Sequence, residues 1–331
     1  MLRREFITLI GGVGASLRAA AAWAQSPQQA RRVGVLLPFD ENDAEAKNRY
    51  KQFRLGMRDL DWTEGRNVLI DFRFAGGNSE SIKRSVAELI KAGPEVILVY
   101  STPGLAAVRG ATGTIPTVFV NVTDPLGQGV VPSLARPGGN ITGFSFIEPE
   151  MVGKWINLLS DVKPGLSLVA QMFNPDTAPF FDSYYRSFKS APRQSAVEVE
   201  VAHVRTAGEI ESAIVKLGNE QGSGLILGSD IFLVNMRESI IKLANEHGVP
   251  TISPYRQFVV EGSLVAYGPD TGDISRRASA YVDRILKGEQ PGNLPVQSPI
   301  RFELVINLKT AKALGLSVRD SFLELCDEVI E

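Results

Sequence analysis

Short apolar runs alternate with amphipathic stretches from Val33 to the end of the chain. Val33-Gly34-Val35-Leu36-Leu37 is nearly continuous in apolar residues and stops at Pro38. That is the pattern of a strand covered on both faces, as in a parallel sheet. Tyr50, Phe53, Met57 and Leu60 then recur at helical spacing. Further strands are expected over 68–72, 96–99, 117–120 and 141–144. A helix carrying Ile82, Val86, Leu89 and Ile90 lies between the first two of these and is stopped by Gly93-Pro94.

The rhythm breaks at Arg136-Pro137-Gly138-Gly139-Asn140, a turn-forming segment read as the lead into a crossover. It then restarts. A helical stripe at Met151, Trp155, Leu158 and Leu159 precedes expected strands over 167–172, 197–203, 225–228, 251–253 and 263–267. Stripes at Ile210, Ile214, Leu217 and at Met236, Ile240, Ile241, Ala244 place helices between them. A helix through Ile274, Ala278, Tyr281 and Ile285 ends at Lys287-Gly288, and a strand over 302–306 and a helix over 309–314 close the pattern. Strand–helix alternation predicts right-handed βαβ units in an α/β fold. Two successive sets of strands predict two Rossmann-like lobes with parallel sheets. The competing architecture is a single TIM barrel, and the break in rhythm argues against it.

The first 24 residues fit neither lobe. Arg3-Arg4 followed by Phe6-Ile7, a weakly apolar core with Gly11, Gly12 and Gly14, and Ala22-Trp23-Ala24 read as an export signal cleaved after Ala24. The Arg pair favours the twin-arginine route over the general secretory one. The apolar run falls short of the roughly 20 residues that span a bilayer. A periplasmic protein is therefore expected. The one cysteine, Cys326, is far from the cleavage site, so neither an internal disulfide nor a lipid anchor on a mature N-terminal cysteine is expected.

Composition narrows the chemistry. The formal net charge is −2 for the full chain, and removal of Arg3, Arg4, Arg18 and Glu5 with the signal makes it −4. No basic footprint for nucleic acid results. His203 and His247 are the only histidines, too few for a His/Cys metal cage, and no cofactor is expected. His203 sits inside an apolar run and reads as a core residue. His247 precedes Gly248 at a helix end, where a cation is favourable. Phosphate-loop and G-x-S-x-G patterns are absent.

Ligands of open parallel sheets bind beyond the carboxyl ends of strands. That rule selects Phe39 and Asp40 after the first strand, Ser101 and Thr102 after the third, and Asn121 and Asp124 after the fourth. In the second half it selects Asn174, Asp230 with Ser229, and Tyr255. Ser101-Thr102-Pro103 also reads as a helix N-cap, and Asp124-Pro125 as an Asx-turn. Tyr100 and Tyr267 are further aromatic candidates. Asp230 follows its strand directly and is read as a partner for a ligand ammonium, with a helix start as the alternative.

The run Asp124-Pro125-Leu126-Gly127-Gln128-Gly129-Val130-Val131, continued by 133–143 (Ser133 to Gly143), resembles the signature of the ABC-transporter substrate-binding proteins of tryptophan type. The opening Arg3 to Ile7, the block 32–38, and Phe302 to Asn307 with Thr310 to Gly315 resemble the same family. The resemblance implies a type I periplasmic-binding-protein fold with a three-crossing hinge near Phe144, Tyr267 and Arg301. It implies an N-terminal lobe of 31–144 plus 268–300 and a C-terminal lobe of 145–267 plus 301–331. It also implies a non-enzymatic monomer that holds a small organic solute, an amino acid or aromatic compound, for an ABC permease and its ATPase. On that model Ser101 and Thr102 match a carboxylate corner and Asp230 an ammonium corner, and the alternative role of the 124–143 motif is the architecture of its lobe. A ligand-sensing partner of a signalling receptor and a secreted α/β enzyme are the alternatives.

Overall fold

The computed structural model describes residues 30–146, 150–181, 185, 186, 189 and 196–331. The expected export signal lies outside the described residues.

The first sheet contains β1 (Arg31–Leu37), β2 (Val68–Phe74), β3 (Val96–Tyr100), β4 (Thr117–Val122) and β5 (Ile141–Ser145) in the order β2-β1-β3-β4-β5. All of its pairings are parallel. Helices α1 (Ala44–Asp59), α2 (Ser79–Lys91) and α3 (Thr102–Ala111) connect these strands. The second sheet runs β12-β11-β10-β9-β8-β6-β7. Its strands are β6 (Leu168–Phe173), β7 (Glu198–His203), β8 (Ser223–Leu227), β9 (Thr251–Ser253), β10 (Val265–Pro269), β11 (Phe302–Asn307) and β12 (Glu328–Ile330). Its helices are α4 (Met151–Val162), α5 (Ala207–Gly218), α6 (Ile231–Asn235), α7 (Arg237–Glu246), α8 (Arg256–Val260), α10 (Leu308–Ala313) and α11 (Asp320–Leu323). Each sheet with the helices packed on it is one lobe of a type I periplasmic-binding-protein fold. Two open sheets rule out the TIM barrel.

The apolar patterning explains the layers. Every residue of β3 is buried, and Ile82, Val86 and Leu89 of α2 are at most 1% exposed. Each such side chain stabilises by about 2 kcal/mol. The helix α9 (Thr271–Leu286) comes late in the chain, yet it packs on α1 and against β3, β4 and β5. Trp62 Nε1, in the turn that follows α1, donates to Asp283 Oδ1 of α9 at 2.8 Å. The chain thus passes between the sheets after Ser145, after Pro269 and before Phe302.

Three expectations need correction. The 136–140 turn leads into β5 of the same sheet, so the crossover comes only after Ser145. The second sheet is not wholly parallel: β11 returns from the far lobe and pairs antiparallel with β10. His203 is exposed, because β7 is an edge strand whose ends face solvent; its ring lies edge-on to Phe173 at 4.8 Å.

The 124–143 segment carries contacts that hold the first lobe together. Asp124 Oδ1 accepts from Gly127 N at 2.8 Å, Asn140 Nδ2 donates to Ile115 O at 2.8 Å, and Thr142 Oγ1 donates to Leu294 O at 2.6 Å. Gly143 has φ +157°, and a Cβ there would stand 2.1 Å from the carbonyl oxygen of Phe119. Only glycine lets β5 lie this close to β4.

Candidate ligand-binding cleft

The carboxyl ends of β1, β3 and β4 face those of β8 and β9 across a cleft. Phe39, Arg49, Ser101, Thr102, Pro103 and Asn121 form the first-lobe wall. Thr177, Phe180, Ser229, Ile231 and Tyr255 form the other. About 340 Å³ of atom-free space, part of it open to solvent, lies between the two walls, at the small end of ligand-pocket volumes.

Arg49 is the central polar group. It lies on α1 and is 2% exposed. Its Nε donates to Glu45 Oε1 at 2.8 Å, one turn earlier, and Thr271 Oγ1 donates to the same oxygen at 2.6 Å. With its amide oxygen facing the guanidinium, Asn121 accepts from Nη1 at 2.9 Å and Nη2 at 3.3 Å. The guanidinium carbon sits 4.8 Å from the Phe39 ring centre, 5.8 Å from that of Tyr100 and 5.9 Å from that of Tyr255, within cation–π range. Burial disfavours its charge, but Glu45 and the surrounding groups hold its pKa above the usual value. Each terminal nitrogen keeps a second N–H, and the described residues give these no acceptor.

Backbone strain accompanies this wall. Ser101 has φ 70° and ψ 158°, a region populated almost only by glycine, and Asn121 has φ 56°. Such conformations cost on the order of 1–3 kcal/mol each and cluster at ligand sites. Ser101 Oγ also accepts from Gly104 N at 3.4 Å and caps α3. Opposite, the Tyr255 hydroxyl shares a 3.0 Å hydrogen bond with Ser229 Oγ, and its ring stacks on Phe146 at 5.3 Å. Burial raises the Tyr255 phenol above its ordinary value, against the pull of Arg49. Tyr100 lies behind the cleft, fully buried, and burial pushes its phenol up to about 12. The Ser275 side chain draws it back in part, although the Tyr100 hydroxyl makes no well-formed hydrogen bond among the described residues.

A model of the family described as "ABC transporter substrate binding protein" matches residues 32–330. The chain belongs to this family. The substrate-binding protein is 27% identical to a tyrosine-binding protein of Clostridioides difficile (strain R20291) over 266 residues, 80% of this chain and 76% of that protein. A solved conserved domain protein of Vibrio cholerae superposes with a TM-score of 0.83 at 26% identity, covering 91% of this chain and all of that one. An ABC domain from Streptococcus pneumoniae in complex with L-Trp gives 0.83 at 22% identity with the same coverage.

Within this substrate-binding protein, Phe39, Ser101, Thr102, Asn121 and Tyr255 come together at the cleft as strand-end residues. The other candidates stand elsewhere. Asp40 is exposed in the turn before α1, and Asp124 is turned into its Asx-turn. Asp230 is 2% exposed and lies behind Thr177. Its Oδ1 accepts from Thr177 Oγ1 at 2.5 Å and Phe232 N at 2.9 Å, and its Oδ2 from Asn174 N at 2.5 Å. It thus caps α6 and fixes the Asn174 turn, where Asn174 Oδ1 accepts from Asp176 N at 2.9 Å. Burial raises its pKa, and these three hydrogen bonds offset only part of that.

Arg49, Thr177, Phe180 and Ile231 are lining residues that the strand-end rule does not select. Arg49 did leave a signal. Glu45, Arg49, Phe53 and Met57 recur every four residues on the buried face of α1, so a charged pair continues an apolar stripe.

The lobes also touch outside the cleft. Arg237 Nη2 pairs with Asp43 Oδ2 at 2.7 Å across the gap, while its Nε holds Glu261 Oε2 at 2.9 Å within its own lobe. Asp43 caps α1 through Ala46 N at 2.9 Å, so the latch is anchored on the helix that carries Arg49. Asn235 Nδ2 donates to Pro38 O at 3.4 Å. It stands where a Cβ on Gly77 (φ +77°) would fall 1.9 Å away.

A larger groove of about 1120 Å³ borders the hinge, lined by residues including Asn48, Gln52, Asp270, Arg276, Arg301 and Glu303. It is open and polar, and several of its charges are already paired. The enclosed cleft is the better trap, since both lobes wall it at their strand ends.

Proposed function

We propose that this protein is the exported receptor of an ABC importer. It traps a small organic solute, an amino acid or an aromatic compound, between its lobes and presents the closed form to a permease and its ATPase. The observation that carries the proposal is the cleft itself: strand ends of two sheets bring a buried cation, hydroxyls and aromatic rings together in a space walled by both lobes. Solute stabilises the closed form by the contacts it makes there and not in the open form. Binding and release need no covalent step. The relationship to a tyrosine-binding protein supports a solute of this size. The Arg3-Arg4 leader and Ala22-Trp23-Ala24 support periplasmic delivery, and no helix among the described residues is long and apolar enough to cross a membrane.

A thermal-shift titration with amino acids, aryl acids and sugars tests the reading. One class should raise Tm with concentration, as mass action requires. A flat response to all of them would sink it.

A further inference from the structure

We infer that Asp230 is the positioning residue of the second-lobe wall: it fixes the side chains that meet the solute relative to one another, without meeting the solute itself. The inference rests on the cleft reading above and deepens it. The wall comes from three separate stretches of chain. Thr177 and Phe180 follow β6, Ser229 and Ile231 follow β8, and Tyr255 follows β9. All of them lie beyond the strand ends, where the ladder of the sheet no longer sets their spacing.

Asp230 ties the first two stretches together. After β6, Asn174 N donates to its Oδ2 and Thr177 Oγ1 to its Oδ1; after β8, Phe232 N donates to the same Oδ1. Asn174 passes the constraint on. Its carbonyl accepts from Thr177 N at 3.2 Å and Ala178 N at 2.8 Å, and Ala178 O accepts from Phe181 N at 3.1 Å. That run of turns carries Phe180. Ser229 and Ile231 flank Asp230 directly, and Ser229 Oγ shares its hydrogen bond with the Tyr255 hydroxyl, which brings in the third stretch.

A carboxylate suits this task better than it suits capping alone. An asparagine or serine would cap α6 as well and would escape the desolvation that raises the Asp230 pKa. Two acceptor oxygens are what let one side chain serve Asn174 N on one side and Phe232 N on the other at the same time. Bonds to an ionised acceptor are also stronger than neutral ones, and at 2% exposure water competes little for them. A wall held in shape before the solute arrives lowers the ordering cost of binding.

Hydrogen–deuterium exchange of the solute-free mature protein, as wild type and as Asp230→Asn, tests this, followed by calorimetric titration with L-tyrosine and with 3-(4-hydroxyphenyl)propionate, the same skeleton without its ammonium. The amide keeps one acceptor oxygen and loses the other. Exchange should rise about 10-fold in three peptides together, around Asn174 to Phe181, Ser229 to Leu233 and Tyr255 to Phe258, with β6 and β8 unchanged. Affinity should fall about 10-fold and by the same factor for both probes, because the change acts through the wall and not through a charge on the solute. Thr177→Val cuts one tie from the opposite side and should raise exchange around Ser229 to Leu233 as well as in its own stretch; this second variant keeps the test intact if the first misfolds. A rise confined to α6, or unchanged affinity for both probes, would reduce Asp230 to a helix cap and overturn the inference while the solute trap stands. A loss confined to L-tyrosine would overturn it too, by placing the carboxylate on the ammonium. Failure of every solute in the wider panel would remove the trap and this inference with it.

Discussion

Arg49 on the first-lobe wall and Asp230 on the second are both buried charges beside the same cleft, held in opposite ways. Arg49 spends its Nε on Glu45 and one N–H of each terminal nitrogen on Asn121, and keeps two in hand. Asp230 receives Thr177, Phe232 and Asn174 and pairs with no cation among the described residues. The strained backbone is also one-sided: Ser101 and Asn121 lie on the first wall. On the proposed reading the difference divides the tasks: the first lobe meets the solute's polar groups, and the second supplies a largely satisfied surface that closes on it.

Four experiments could break or sharpen this division. Asp230→Ala removes an acceptor from three donors at once and uncaps α6. It should cost about 3 kcal/mol of stability in urea unfolding. Unchanged stability with lost solute binding would instead place Asp230 in ligand contact. Asp43→Asn weakens the cross-lobe pair with Arg237 while leaving Glu261 in place. It should lower solute affinity about 10-fold and raise the radius of gyration of the solute-free protein; equal affinity and radius would show that the pair does not bias closure. Ser101→Gly relieves a backbone conformation that serine dislikes. It should gain about 1 kcal/mol of stability while solute binding weakens a few-fold; a loss of stability would mean the strain is not there.

The smallest effect is a pH dependence. Burial raises the pKa of Asp230 in the folded protein, so the folded state binds that proton more tightly than the unfolded state. The stability of wild type relative to Asp230→Asn should therefore rise as pH falls from above the folded pKa toward the unfolded value near 4. A gap that shrinks on acidification would mean that an unseen cation partners the carboxylate.

The sheets were legible because strands covered on both faces leave unbroken apolar runs, as at Val33–Leu37 and Val96–Val99. Elements without such runs were not. β12 is three half-buried residues whose one strand partner is β11 among the described residues, and α8 is a single short turn of helix. Of the residues that the strand-end rule selects, Phe39, Ser101, Thr102, Asn121, Ser229 and Tyr255 line the cleft, and Asp40, Asp124, Asn174 and Asp230 are not among its lining residues. A short polar side chain at a strand end can close a turn or face a ligand, and sequence shows only that it is there. Arg49 escaped for a different reason: it reaches the strand ends from the middle of α1, as a charge on the buried face of a helix.

Hydrogen–deuterium exchange with and without the solute that most raises Tm tests the central claim directly. The account predicts protection on both walls together, in the segments around Ser101 to Leu105 and Asn121 on one side and around Thr177, Ile231 and Tyr255 on the other. Protection confined to one lobe, or centred on the hinge groove around Gln52, Asp270 and Glu303, would contradict it.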